Sequence, residues 1–183
     1  SFLCALKASF FLFQGDELGL PEADVPFERL QDPYGKRFYP KFKGRDGCRT
    51  PLAWAASLAQ AGFNQGHEPW LPIPPEHVPL AVDQQERDPR STLHSVRAML
   101  RERKLSPTLL HGTLVPLEAA AGVYRFLREG EERLHCFYNF SPNEVSLKVE
   151  ALEVLPAFSH NYVINQNQLI LKRYGAFIGR SQQ

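Results

Sequence analysis

Between Leu20 and Lys43 prolines stand at Pro21, Pro26, Pro33 and Pro40, interleaved with Phe27, Tyr34, Phe38, Tyr39 and Phe42. A proline fixes φ and removes an amide donor, so this spacing denies the segment any long helix or interior strand. The aromatics are too dense for a disordered linker. The segment reads as a long ordered loop packed on a body, and such loops often carry function. Whatever the chain folds into has to be arranged around it.

The flanks differ in texture. Phe2, Leu3, Ala5 and Leu6 around Lys7 read as the last turns of a helix. Phe10-Phe11-Leu12-Phe13 is a continuous apolar run without alternation, expected for a strand buried on both faces in a helix-covered parallel sheet. Gln14-Gly15-Asp16-Glu17-Leu18-Gly19 follows directly. In an α/β barrel, polar residues just past a strand's carboxyl end lie on the active face, although an ordinary strand exit with solvated carboxylates has the same pattern. Gly62 to Pro72 is again irregular, with Phe63 and Trp70 as its anchors.

Asp88-Pro89-Arg90 opens the clearest helix, with Asp88 as the cap and Pro89 at the first helical position. Leu93, Val96 and Leu100 recur at helical spacing, Arg101, Arg103 and Lys104 sit in the last turns as solvated residues, and Ser106-Pro107 stops the run. Beyond it come short β-like runs at 122–127, 133–138, 145–149, 168–171 and 176–178, separated by Gly130, Pro142-Asn143, 165–167 and Gly175. Many short strands between turn residues read as an antiparallel sandwich, with the boundary near Leu105–Thr108. Val123, Arg125 and Leu127 alternate against Tyr124, Phe126 and Arg128, so either face can be the core face.

Composition excludes several classes. A formal charge of +1, with lysines and arginines scattered, gives no footprint for nucleic acid. No apolar run approaches the ~20 residues of a membrane span. Cys4, Cys48 and Cys136 are odd in number and far apart, which argues against a disulfide framework or zinc site and for a reducing, cytoplasmic setting. The six histidines show no ligand spacing, so no metal or other cofactor is expected. The start, Ser1-Phe2-Leu3, has no basic leader and reads as the middle of a longer chain.

The densest chemistry lies in Gly44-Arg45-Asp46-Gly47-Cys48-Arg49-Thr50-Pro51. Arg45 and Arg49 offer planar forks of donors suited to oxygen-rich ligands or carboxylates, and Trp54 adds an apolar face. The pattern fits a wall that holds oxygens, and equally a salt-bridged loop that fixes the fold. Asp16 and Glu17 are the obvious carboxylate pair. Glycosidases need two carboxyls facing each other ~5–9.5 Å apart, and neighbours leaving a strand point to opposite sides. No Gly-x-Ser-x-Gly elbow and no phosphate-cradling glycine loop occurs. The chain holds no self-sufficient catalytic constellation.

Phe13-Gln14-Gly15-Asp16-Glu17-Leu18-Gly19 resembles the segment after the eighth barrel strand in α-amylase-type glycoside hydrolases of family 13, where Tyr-Gln-Gly-Glu-Glu-Leu-Gly is usual. Gln31-Asp32-Pro33-Tyr34-Gly35 and the Arg-Asp-x-x-Arg-Thr-Pro pattern at 45–51 resemble the α-glucosidase and oligo-1,6-glucosidase branch, and Glu68-Pro69-Trp70-Leu71-Pro72 continues in register. The resemblance implies an α/β plus all-β chain: the last strand and helix of a (β/α)₈ TIM barrel over residues 1–105, then an antiparallel C-terminal β-sandwich over 106–183. A whole barrel needs eight strands and ~250 residues. It further implies that the nucleophile aspartate, the acid/base glutamate and a third aspartate lie upstream, so no catalytic residue is assigned within this chain. Arg45 would contact the outermost hydroxyls of the terminal glucose, with Arg49, Asp46 and Glu17 supporting it. Phe13 and Asp16 depart from the family's tyrosine and glutamate.

The expectation is the carboxyl-terminal portion of a retaining, exo-acting α-glucosidase acting on a small oligosaccharide or α-glucoside, inactive alone. The rival reading is a non-catalytic sugar-binding or stabilising β-sandwich module. No nucleic acid or membrane partner is expected. Self-association is expected if the Phe10–Phe13 run lacks sheet neighbours.

Overall fold

In the computed structural model, residues 1–181 are described, and they fall into two compact units. One comprises Ser1–Phe11 with Val96–Gln183, and the other Leu12–Ser95. No helix among the described residues is long and apolar enough to cross a membrane.

The first unit is built on seven antiparallel strands: β1 (Thr113–Leu117), β2 (Val123–Glu129), β3 (Arg133–Asn139), β4 (Val145–Lys148), β5 (Leu152–Val154), β6 (His160–Asn165) and β7 (Gln168–Ser181). The path runs β1-β2-β3-β7-β4, and β7 also pairs with β5 and β6. The long β7 serves two layers. Its first residues, Gln168–Leu171, pair with β4 on one side and β6 on the other, while Ala176–Ser181 lie between β3 and β5. The turn between these halves falls at Tyr174, whose φ of 51° interrupts the extended backbone. This is the sandwich that the short runs predict. The five expected runs correspond to β2, β3, β4 and the two ends of β7, whereas β1, β5 and β6 carry no run that stood out.

Alternation sorts the residues onto two cores. Leu134, Cys136, Tyr138, Ala176 and Ile178 face one cluster with Phe126 and Phe158, while Phe137 and Phe177, between them in sequence, face the other with Leu169 and Leu171. The undecided strand is thereby settled. Phe126 and Arg128 are fully buried, so the face of Tyr124, Phe126 and Arg128 is the core face. An arginine in such a place is costly unless most of its donors are met, and here both terminal nitrogens are met while Nε has no partner among the protein atoms. Arg128 donates to the carbonyl oxygens of Ala5 (2.6 Å), Thr108 (2.9 Å) and Gly112 (3.0 Å). These carbonyls lie at the ends of two short helices, α1 (Phe2–Ala5) and α5 (Pro107–His111).

The helix that follows Asp88 differs from expectation in detail. In α4 (Thr92–Leu105) the cap is not Asp88: the Ser91 hydroxyl accepts from the His94 amide at 3.3 Å, and Asp88 instead closes a turn on the Arg90 amide at 2.9 Å. Arg103 is not solvated either. It donates to the carbonyls of Cys4, Leu6 (3.2 Å) and Ala8 (3.0 Å), tying off the end of α1.

The Phe10–Phe13 run forms no strand, because no segment among the described residues pairs with it. Phe10 is partly buried against the first core under the Arg103 guanidinium, whereas Phe11 is 91% exposed and Phe13 54%.

The second unit, residues 12–95, has almost no regular structure beyond α2 (Pro33–Phe38), α3 (Val82–Arg87) and 3₁₀ turns. Small clusters replace a single core: Ala23, Val25, Leu30 and Leu71 in one, Leu18, Leu52 and Leu93 in another. The proline-rich loop is ordered, as its aromatic content required. Phe27 and Tyr39 pack at 5.1 Å between ring centroids, and Tyr34 stacks on Phe38 at 6.2 Å.

Candidate functional site

The arginine loop is folded around a pair of aspartates. Asp32 precedes Pro33 at the start of α2, where a short acceptor and a pre-set φ favour a helix start. Its Oδ1 accepts from the amides of Tyr34 (2.9 Å) and Gly35 (3.4 Å), closing the first turn. Its Oδ2 accepts from the Arg45 amide at 3.1 Å and lies 3.6 Å from Arg45 Nε. Asp46 answers from the other side. Its Oδ2 accepts from the amides of Gln31 (2.5 Å) and Asp32 (2.7 Å). Each aspartate thus holds the backbone that carries the other.

Glycine makes this approach feasible. Gly44 has φ +77°, and a Cβ there would come within 2.9 Å of the Asp32 side chain. A Cβ on Gly47 would meet the Ala23 carbonyl oxygen at 2.4 Å, and the Ala23 amide donates back to the Gly47 carbonyl at 3.1 Å.

Burial separates the residues by role. Asp46 is fully buried and the Asp32 side chain is 4% exposed, whereas the Arg45 guanidinium is 67% exposed. Burial raises the pKa of Asp32, but the amides of Arg45, Tyr34 and Gly35 and the Arg45 charge outweigh it and hold the carboxyl below its ordinary value. Lys43, one residue before Gly44, has its pKa raised by its hydrogen bond to Asp24.

Of the residues singled out by sequence, Arg45 and Asp46 are brought together through Asp32. Arg49 is exposed at the end of the 3₁₀ turn Asp46–Cys48, its amide donating to the Asp46 carbonyl at 2.9 Å. Glu17 turns back on its own loop, accepting from the Gly15 amide at 3.0 Å, and Asp16 does the same with the Phe13 amide at 2.9 Å. The two carboxylates are spent on local amides rather than facing one another. Cys48 is exposed, its Sγ 3.1 Å from the Arg45 carbonyl.

The two motif loops share one cavity of about 190 Å³, walled by Phe13–Asp16 on one side and by Gly47, Cys48 and Thr50 on the other. Arg45 and Glu17 are not among its walls. A shallower cleft of about 580 Å³ runs between Glu22–Val25 and Pro40–Gly44.

Three residues escaped sequence reasoning. Asp32 carried the same Asp-Pro helix-start signal as Asp88-Pro89, but inside a segment read only as loop. His77 is buried with Nε2 donating to the Pro21 carbonyl at 2.8 Å, and Gln85 donates to the carbonyls of Leu18 (2.8 Å) and Leu80 (3.0 Å) while accepting from the Leu93 amide (3.0 Å). Neither has a local pattern that marks it, because their partners are distant in sequence.

The α-amylase catalytic-domain family matches residues 1–112, ending one residue before β1 begins. That is more than half of the chain, and the chain belongs to the α-amylase family of glycoside hydrolases. It is 41% identical over 183 residues to a probable α-glucosidase of Rhizobium meliloti (strain 1021), covering 98% of this chain and 33% of that protein. An oligo-1,6-glucosidase of Parageobacillus thermoglucosidasius is 30% identical over 164 residues, covering 77% of this chain and 28% of that one. The fold is similar to the crystal structure of an α-glucosyl transfer enzyme, XgtA, with a TM-score of 0.88 and 39% identity, covering 99% of this chain and 34% of the other. The chain spans about a third of the length of the relatives it matches.

Proposed function

We propose that this chain is the carboxyl-terminal portion of a retaining, exo-acting α-glucosidase that hydrolyses terminal α-linked glucose from small saccharides. Residues 1–105 end its catalytic barrel and 106–183 form its β-sandwich. The carboxylates that carry out the two displacements belong to upstream polypeptide. Within this chain, Arg45 meets the outermost hydroxyls of the glucose, Asp46 and Asp32 hold its backbone, and Arg49 and Glu17 keep the two motif loops in shape.

The observation that carries this reading is the contrast at Arg45: a buried carboxylate frame beneath a guanidinium that is two-thirds in solvent. A residue serving only to lock the loop would have its guanidinium in the frame. A charge held at its base and open at its tip suits a ligand rich in hydroxyls.

The test is enzymatic. The full-length protein containing this chain is expected to release glucose from an aryl α-glucoside, with retained anomeric configuration by NMR. The 183-residue chain is expected to give no turnover above background, and turnover by it would overturn the assignment of the carboxylates to upstream sequence. Calorimetric titration of the 183-residue chain with maltose is expected to be silent, whereas tight binding would favour a stand-alone sugar-binding module. Exposed Phe11, Leu12 and Phe13 are expected to drive self-association of the chain. Light scattering that reports a monomer at high concentration would remove that expectation.

A further inference from the structure

We propose that Asp32 is the positioning residue of Arg45, setting the guanidinium for its ligand while also starting helix α2. This rests on the reading of Arg45 as the sugar contact.

One carboxylate does both tasks with different oxygens. Oδ1 takes the amides of Tyr34 and Gly35, and Oδ2 takes the Arg45 amide and faces Arg45 Nε at 3.6 Å. The Arg45 backbone and the root of its guanidinium are therefore referred to the same atom. Contact through Nε leaves the terminal Nη edge as the face presented to a ligand, and that edge matches two neighbouring hydroxyls of a sugar ring. Asp32 is itself fixed, because its amide donates to the buried Asp46 Oδ2 at 2.7 Å. Rigidity thus passes from Asp46 to Asp32 to Arg45, while the freedom of a long side chain is removed before the ligand arrives, so less ordering is left to binding. The carboxyl's lowered pKa keeps it anionic through the neutral range, so the pairing partner is always charged.

The experiment separates capping from positioning. Serine is as good a helix cap as aspartate but has no charge for Arg45. In the full-length protein, Asp32→Ser is expected to raise KM by about tenfold with kcat within about twofold, the pattern of lost uniform binding. Asp32→Asn, isosteric and also a good cap, is the companion should the serine variant melt early, with the same expected shift. In an Arg45→Met background, Asp32→Ser is expected to change KM by less than about twofold, because the coupled pair is already broken. A merely structural Asp32 would lower kcat through loss of active protein, with KM unchanged, and would do so whether or not Arg45 is present. Either result overturns the proposal. If Arg45→Met is impaired and both Asp32 variants are not, only the positioning role falls. If Arg45→Met has wild-type kinetics, the sugar contact at Arg45 falls, and the role of Asp32 falls with it.

Discussion

In residues 12–95 carboxylates take up several of the backbone amides left without ladder partners. Asp16, Glu17, Asp32, Asp46, Asp83 and Asp88 accept from the amides of Phe13, Gly15, Tyr34, Gln31, Ala56 and Arg90. In the sandwich unit two arginines instead donate to backbone carbonyls in and just beyond short helices. Arg103 meets Cys4, Leu6 and Ala8, and Arg128 meets Ala5, Thr108 and Gly112. The difference follows from local geometry. A loop with turns rather than strands aims N–H groups inward one or two at a time, which a two-oxygen acceptor can satisfy. Carbonyls that converge on one point suit a guanidinium, which carries five donors on one planar group. At Arg45 the first kind of frame uses its acceptors mainly on the backbone and leaves the guanidinium two-thirds exposed, which is the basis of the site proposed there.

The largest break in this contrast comes from Arg128. Arg128→Met keeps much of the volume and removes the buried donors of the Ala5 and Gly112 carbonyls, while Thr108 keeps the Gly112 amide. A destabilisation of about 3 kcal/mol is expected, from charged hydrogen bonds lost and acceptors stranded. Urea unfolding followed by far-UV circular dichroism measures it, and a loss under about 1 kcal/mol would show that the buried charge costs nearly as much as its bonds return. Second in size is Asp46→Ala, which strands the amides of Gln31 and Asp32. About 2 kcal/mol is expected. Both tryptophans, Trp54 and Trp70, lie in residues 12–95, so their fluorescence reports this unit.

Acid sharpens the same contrast. The Asp32 carboxyl is held below its ordinary value of 3.8, so the folded state binds its proton less readily than the unfolded chain does. The stability it contributes is fully present above that ordinary value and is lost as pH falls through the lowered folded value. Arg128 stays charged across this range, so the sandwich has no matching loss from its arginines. The fluorescence-detected unfolding midpoint is expected to fall below pH 4 in the wild type, and to fall less steeply in Asp32→Ser. Parallel slopes in the two proteins would assign the acid sensitivity to other carboxylates.

What the sequence disclosed tracks the range over which each interaction acts. The β-like run at 133–138 is written within one strand and was legible, as were the turns that separate the strands, whereas the choice of core face was not. The Arg45–Asp46 loop stood out as a candidate because its residues are adjacent. Arg128 was not: its reason to be buried is carbonyls 16 to 123 residues away, and no pattern near position 128 announces them. The Phe10–Phe13 run read as a doubly buried strand, but no strand among the described residues pairs with it. Asp32 was legible in principle, since Asp-Pro is a helix start, but the surrounding prolines masked a helix only six residues long.

The smallest expected effect tests whether charge itself, rather than a carboxylate on an amide, holds the proline-rich loop. Arg29 pairs with Glu68, which is 71% exposed, and donates also to the Pro69 carbonyl at 3.3 Å. Glu68→Gln removes the charge and keeps a carbonyl acceptor. An exposed pair gains little Coulomb energy in water and loses side-chain entropy, so a change below about 0.5 kcal/mol is expected. The urea midpoint by tryptophan fluorescence, compared at low and high salt, is the measurement, and Trp70 lies two residues from the substitution. A loss approaching that of Asp46→Ala would mean that ion pairs bear the loop. The buried aspartates would then be secondary, and the frame beneath Arg45 would be sensitive to salt, contrary to the division between the two units.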